Sequence, residues 1–340
     1  MRVLIVRLSA LGDIIQGIPC LVALKESFPD WQISWLTEAP HATVLEGHPH
    51  LDRLFLLDRA WRRGAANALE TWRALRRERF DVALDLQGLF KSGLWSLLSG
   101  APRRIGHGKT RELAHWFLNE TVSDRPTFDP NYPLIERYLE PARRLGADPS
   151  KARYLLPPAS ESVRAQADRL LGPSAPSRRR IALCPWSAWP SKNWPLENWR
   201  ALAAALAPEA SVLVLGGPEN RAEAEAVFAR LDGVDQRVGS TPLPVLAEAL
   251  RRCHLAIGPD SGPMHLANAT GRPRLLMIFG ATSRRRSGPW GEGHRTLARE
   301  LDCQPCFRRI CPLGHQACLR ELDVKTVLDA AREMLFNAGP

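Results

Sequence analysis

Leu255-Ala256-Ile257-Gly258-Pro259-Asp260-Ser261-Gly262-Pro263-Met264-His265-Leu266-Ala267 reads as a strand, a turn and the opening of a helix. The apolar run to Ile257 predicts a buried strand, Gly258-Pro259 punctuates it, and Pro263 suits an early helical position, where its missing N–H is no loss. Free backbone N–H groups at such a helix start suit a pyrophosphate, and Ser261 adds a hydroxyl donor. His265 lies four residues after Ser261, hence on the same helix face. A helical histidine is commonly a packed or solvated residue; beside an Asp-Ser-Gly turn it is also a candidate ligand contact. Aspartic proteases use a similar triplet, but their fold is all-β and needs two such sites, and this chain has neither.

The same strand-then-helix grammar recurs on either side of this stretch. Apolar runs at 3–8, 33–36, 54–57 and 82–86 predict strands in the first half, with helical patterns at 14–28, 61–79 and 89–98. The second half repeats the plan: strands at 181–184, 212–215, 255–257 and 275–279, helices at 195–207, 220–231, 242–251 and 263–270. Strands that alternate with helices predict parallel sheets covered on both faces. The stretch 157–180 carries Pro157-Pro158 and a Gly-Pro-Ser-Ala-Pro-Ser run, which predicts a domain boundary, placed at 172–180. The expected architecture is α/β: two Rossmann-like, doubly wound domains facing each other across a cleft. Their functional residues are expected in the turns at the strand ends. The expected domains are 1–172, 173–322 and a C-terminal helical segment, 323–340, returning toward the N-terminal domain.

The chain has 340 residues, with 46 Lys+Arg against 36 Asp+Glu and a formal charge of +10. Hydrophobic residues at 45% and charged residues at 24% exclude a disordered or collagen-like chain. Only six basic residues are lysines, so the positive charge is carried by arginine, which binds phosphate and carboxylate bidentately. A nucleic-acid-binding protein would cluster such residues with aromatics in a recognisable module. Here they are spread through helical patterns such as 73–79, so an anionic small molecule or lipid is the expected partner and nucleic acid is not. No run approaches the about 18 apolar residues of a membrane span, and the N-terminus lacks a cleavage pattern. A cytoplasmic location with reduced thiols is expected.

The first strand ends at Ser9-Ala10-Leu11-Gly12-Asp13. Asp13 can complement a helix dipole, the commoner local role, or serve as a general base at a strand end. No Gly-x-Gly-x-x-Gly comes after that strand, so a sugar-nucleotide dehydrogenase or epimerase loses its support. In Gly106-His107-Gly108-Lys109-Thr110 a phosphate loop would need a glycine where Arg103 stands, which removes a P-loop kinase. Lys192, in a loop opening onto Trp194-Pro195, can set its ammonium beside phosphates or simply be solvated. Glu219, after Gly216-Gly217, can accept two ribose hydroxyls or open a helix. Cys303-x-x-Cys306-x4-Cys311-x6-Cys318 can form a tetrahedral zinc site or a loop of reduced thiols.

Together, Leu11-Gly12-Asp13, Asp85-Leu86-Gln87-Gly88-Leu89-Phe90-Lys91-Ser92, Lys192-x-Trp-Pro and Asp260-Ser-Gly-x-x-His-x-Ala resemble the bacterial lipopolysaccharide heptosyltransferases of glycosyltransferase family 9. The resemblance runs almost the whole chain and implies the GT-B fold. It implies inverting transfer of L-glycero-D-manno-heptose from ADP-heptose to a lipid-linked acceptor, with no metal or other cofactor required. On that resemblance Asp13 is the general base; Ser187 and Lys192 hold the diphosphate. Glu219 binds the ribose, and Asp260, Ser261, Gly262 and His265 contact heptose and phosphates. Within the family the acceptor side is most similar to heptosyltransferases I, which use Kdo-lipid A. That implies Arg62, Arg63 and Arg111 as acceptor contacts and peripheral association with the inner face of the inner membrane. Two departures stand out. Ser187-Ala188 replaces a pair of threonines, and the cysteine stretch is similar to that of heptosyltransferase II-like relatives, which add a second heptose.

Overall fold

The short apolar runs form parallel strands because helices cover both of their faces. In the computed structural model, residues 1–58, 65–110, 112–126, 128–172, 178–239 and 241–337 are described. The chain divides into two units, Met1–Pro158 and Ala159–Pro340.

In the first unit the strands are β1 (Arg2–Val6), β2 (Gln32–Glu38), β3 (Arg53–Leu57), β4 (Val82–Asp85), β5 (Arg103–Gly106) and β6 (Glu120–Thr121). They pair in the order β3-β2-β1-β4-β5-β6, with every neighbouring pair parallel. In the second unit β7 (Arg180–Leu183), β8 (Ser211–Gly216), β9 (Val234–Val238), β10 (Leu255–Pro259), β11 (Arg274–Phe279) and β12 (Arg295–Ala298) pair in the order β12-β11-β10-β7-β8-β9. Both sheets therefore reverse direction at one place, between β1 and β4 in the first and between β7 and β10 in the second. The carboxyl ends of strands at such a reversal leave a crevice where ligands bind.

Each unit has its own core. Leu4, Val6, Leu36, Phe55, Leu57 and Trp95 are among the buried cluster of the first. In the second, Trp194, Trp199, Phe228 and the strand residues Ile181, Val212 and Ile257 form a larger one. The helix Val324–Arg332 gives Val327, Ala330 and Ala331 to that same core, and the Trp194 indole donates to the Leu322 carbonyl at 3.0 Å. The C-terminal helix thus packs its apolar face against the second unit.

The division falls at Pro157-Pro158 and not in the Gly/Ser-rich stretch expected to hold it. The reason is the helix Glu161–Leu171, whose Asp168 pairs with Arg252 and whose Leu170 carbonyl accepts from Arg237 at 2.7 Å. Strands β5, β6, β9 and β12 lie outside the strands read from the sequence. They are at or next to sheet edges, where one side meets solvent and sequences such as Val234-Asp-Gln-Arg-Val238 need no apolar run. No helix among the described residues is long and apolar enough to cross a membrane.

Gly258 in β10 is where sheet and helix approach most closely. A Cβ there would lie 2.7 Å from the Met264 side chain and 2.9 Å from the Cys184 carbonyl oxygen. Backbone cannot yield as a side-chain tip can. Gly258→Ala is expected to lower unfolding free energy by about 1–3 kcal/mol, measured by chemical denaturation; an unchanged midpoint would contradict the close packing described.

Candidate active site

The loop after β10 and the loop after β7 meet at the reversal of the second sheet, where Cys184 N–H donates to the Ile257 carbonyl at 2.8 Å. The Asp260 carboxylate, 6% exposed, is the focus of that meeting. Its Oδ2 accepts from Lys192 Nζ at 2.9 Å, Thr282 Oγ1 at 2.8 Å and Ser287 Oγ at 3.1 Å. Its Oδ1 faces His265 Nε2 at 2.9 Å; a carboxylate only accepts, so the ring nitrogen donates. Burial alone would push the Asp260 carboxyl up. The Lys192 charge and the His265 hydrogen bond overcome that and hold it well below the usual carboxylate range.

Lys192 is brought in by a tight loop. The Ser187 hydroxyl donates to the Trp189 carbonyl at 3.0 Å, and Ser187 N–H donates to Asn193 Oδ1 at 2.8 Å. The Lys192 ammonium lies 4.8 Å from the centre of the Trp189 ring, a cation–π arrangement that fixes it further. Beside the node, the helix Gly262–Ala269 starts with Ser261 as its N-cap. Ser261 Oγ is buried yet has no hydrogen-bond partner among the described residues. A buried unpaired hydroxyl costs stability unless something else satisfies it, so it is available to a ligand at the helix start. Gly262 keeps that start free of a side chain.

Next to this helix start is a cavity of about 570 Å³, lined by Gly217, Glu219, Thr241, Leu243, Leu246 and Pro263 among others. Apolar walls with one carboxylate suit a flat heterocycle joined to a hydroxylated sugar. The Glu219 carboxylate folds over Gly217, where any larger residue would collide with it.

In the first unit, Asp13 stands in the first turn of the helix Leu11–Ser27, at the reversal point beside β4. Its Oδ2 pairs with Arg7 at 2.6 Å and accepts from Ala10 N–H at 3.3 Å, while Oδ1 accepts from the Tyr138 hydroxyl at 3.1 Å. Capping and chemistry are therefore not alternatives here; the same carboxylate satisfies Ala10 and remains one third exposed, with a side chain 32% accessible. Burial would raise its affinity for a proton, but Arg7, Ala10 and Tyr138 together hold the carboxyl below the ordinary value. Nearby, Lys91 Nζ bridges Ser9 Oγ at 3.0 Å and Glu38 at 2.8 Å. Asp85, at the end of β4, is fully buried and shapes its own turn by accepting from Gln87 and Gly88 N–H and from Ser92 Oγ.

The second unit thus brings Lys192, Asp260, Ser261, Gly262 and His265 together, with Glu219 in the adjoining cavity. Ser187 holds the loop, its hydroxyl engaged within it. Arg62, Arg63 and Arg111 lie outside the described residues. Cys303, Cys306, Cys311 and Cys318 line one small cavity, but among the described residues no three His, Cys, Asp or Glu side chains are arranged to hold a metal ion. Burial, with the charges of Cys303, Cys311 and Cys306 added, pushes the Cys318 thiol up to about 11, so the four thiols lie close together. Thr282, Ser287, Arg7 and Tyr138 escaped sequence reading. Thr282 lies just past β11, so a strand-end search of that loop would have found it; nothing local marks Tyr138, which meets Asp13 only through packing of the helix Leu134–Arg144 on Leu11–Ser27.

A profile of the family described as glycosyltransferase family 9 (heptosyltransferase) matches residues 68–317, most of the chain. The lipopolysaccharide heptosyltransferase 1 of Pseudomonas aeruginosa is 27% identical over 322 residues, 92% of this chain and 87% of its own length. A crystal structure of the glycosyl transferase family 9 from Veillonella parvula shares the fold at a TM-score of 0.87 and 23% identity, covering 99% of this chain and 98% of that one. The structure of E. coli ADP-heptose lps heptosyltransferase II does so at 0.77 and 23% identity, over 99% of each chain. The fold is that of the GT-B class, built from two Rossmann-like units.

Removing the charge at Asp260 should leave Lys192 buried without its partner. Asp260→Asn is expected to cost about 3–5 kcal/mol at pH 7. Because the folded carboxyl binds protons less readily than the unfolded one, its contribution is complete above the ordinary value of about 3.9 and is lost as pH falls toward the folded value. Denaturation of both proteins from pH 7 to pH 3 should show the gap narrowing in acid. A gap below about 1 kcal/mol at pH 7, or one that widens in acid, would contradict the assignment.

Proposed function

The chain belongs to glycosyltransferase family 9, and from that premise we propose an inverting heptosyl transfer from ADP-L-glycero-D-manno-heptose. The acceptor is a hydroxyl of Kdo on the lipid-linked inner core of lipopolysaccharide. The observation that carries this reading is the Lys192–Asp260–His265 node beside an unpartnered Ser261 hydroxyl and an apolar cavity holding Glu219. The cavity fits adenosine, with Glu219 on the ribose. Lys192, Ser261 and the helix start stabilise the diphosphate as negative charge grows on departing ADP. These groups do without a metal ion what a bound divalent cation does elsewhere. Asp13 removes the proton of the attacking hydroxyl, the new bond forms at the anomeric carbon opposite the breaking one, and configuration inverts.

Support for Kdo as acceptor is the similarity to a heptosyltransferase 1; the shared fold with a heptosyltransferase II favours a first heptose as the second reading. A lipid-linked acceptor places the enzyme at the inner face of the inner membrane, working from the cytoplasm as a peripheral protein. Arg62, Arg63 and Arg111 would meet its carboxylates and phosphates, which arginine binds bidentately.

A donor-and-acceptor matrix read by ADP release and product mass tests the reading. Product from ADP-heptose and Kdo-lipid A is expected; turnover only with a heptosylated acceptor favours the second reading, and none with any ADP-sugar refutes both. Asp13→Asn should lower kcat by about 10²–10⁴. Neutralising Arg62, Arg63 and Arg111 together should raise the acceptor KM and leave the donor KM unchanged; a parallel loss of affinity for both would assign the charge to folding instead.

A further inference from the structure

Within that proposed reaction, we infer that Arg7 and Tyr138 are positioning residues that fix the Asp13 carboxylate in the orientation from which it takes the acceptor's proton. The inference rests on Asp13 being the base. A first-turn carboxylate that only caps a helix needs one backbone N–H, and Ala10 supplies it at 3.3 Å. Asp13 has two further donors that capping does not require. Arg7 holds Oδ2 at 2.6 Å and Tyr138 holds Oδ1 at 3.1 Å, so both oxygens are anchored and rotation about the terminal bond is stopped.

The anchors are themselves fixed. The Arg7 side chain is 8% exposed, donates to the Leu86 carbonyl at 3.3 Å and lies 5.3 Å from the centre of the Tyr138 ring. Tyr138 is 2% exposed and sits on a helix packed along Leu11–Ser27. The anchors are buried while the carboxylate they hold is one third open. That is the arrangement of a group presented to a substrate, since a purely structural ion pair gains nothing from leaving its anion accessible.

The arrangement has a chemical cost. Arg7 weakens Asp13 as a base, and a free base would be better tuned nearer neutrality. The cost is tolerable if the hydroxyl gives up its proton late, after bonding to the anomeric carbon has made it acidic. Correct placement then matters more than basicity. Other charged groups near this loop are Asp85, which acts on Arg7, and the Lys91–Glu38 pair, whose lysine donates to the Ser9 hydroxyl. All of these stay in place in the variants below.

The base must be ionised, so the rate falls as pH falls through the Asp13 value, and removing an anchor moves that acid limb upward. Steady-state kinetics from pH 3 to pH 9 on the unaltered protein, Tyr138→Phe, Arg7→Gln and Arg7→Lys test this with the full-length protein, ADP-heptose and Kdo-lipid A. Tyr138→Phe, a fold-safe variant, should lower kcat about tenfold, the worth of one hydrogen bond to a charged group, with both KM values within about twofold. Arg7→Gln should shift the acid limb to higher pH, and Arg7→Lys should restore it. Should Arg7→Gln fail to fold, Tyr138→Phe decides alone. Wild-type kcat and an unmoved acid limb in Tyr138→Phe, with Asp13→Asn inactive, overturn the positioning roles and leave the base intact. An active Asp13→Asn overturns the base and the positioning roles with it.

Discussion

A buried negative charge must be compensated, and at Asp260 that requirement draws four parts of the second unit to one point. Lys192 arrives from the loop after β7, Thr282 and Ser287 from the segment after β11, and His265 from the helix after β10. An isolated carboxylate in such surroundings would take up a proton; this one is held ionised because cation and donors reach it together. The loops after β7, β10 and β11 are thus tied to each other by electrostatics, in addition to the backbone bond from Cys184 N–H to the Ile257 carbonyl.

The first unit solves a related problem differently. Asp13 also sits at its sheet's reversal point with a buried arginine against it, but its side chain is 32% exposed whereas that of Asp260 is 7% exposed. In the proposed reaction the sealed pair organises the donor site, and the open pair presents the base. The difference lies in the segment after each strand. β10 leads into a helix through a serine whose hydroxyl remains unpartnered, while β1 leads into a helix that carries the acid in its own first turn.

Legibility in the sequence depended on where the information lies. The buried strands β1, β2, β7, β8, β10 and β11 are legible because both faces are covered and each holds a short apolar run. The edge strands β6, β9 and β12 are not, since β9 and β12 need bury only part of their surface, whereas the edge strand β3 is marked by its apolar run at 54–57. Lys192, Asp260, Ser261 and His265 could be singled out because strand-end turns have their own local chemistry. Tyr138 could not, because its role exists only once residues 125 positions apart are packed together; Arg7 sits at the end of an apolar strand, where the sequence alone does not show that its side chain turns back to Asp13. The spacing of the cysteines does bring Cys303, Cys306, Cys311 and Cys318 to the lining of one small cavity. The net charge of +10 gains a narrower meaning, since the buried Arg7 and the half-buried Lys192 already have partners in Asp13 and Asp260.

The proposed chemistry stands or falls on the Asp260 node acting, through Lys192, as a diphosphate site beside an adenosine cavity. Calorimetric titration of ADP and of adenosine into the intact protein and into Lys192→Ala separates the two halves of that site. At least about a tenfold loss of ADP affinity is expected, a difference of about 1.4 kcal/mol, with adenosine affinity unchanged. Equal affinity of the two proteins for ADP, or an equal loss for both ligands, would contradict it.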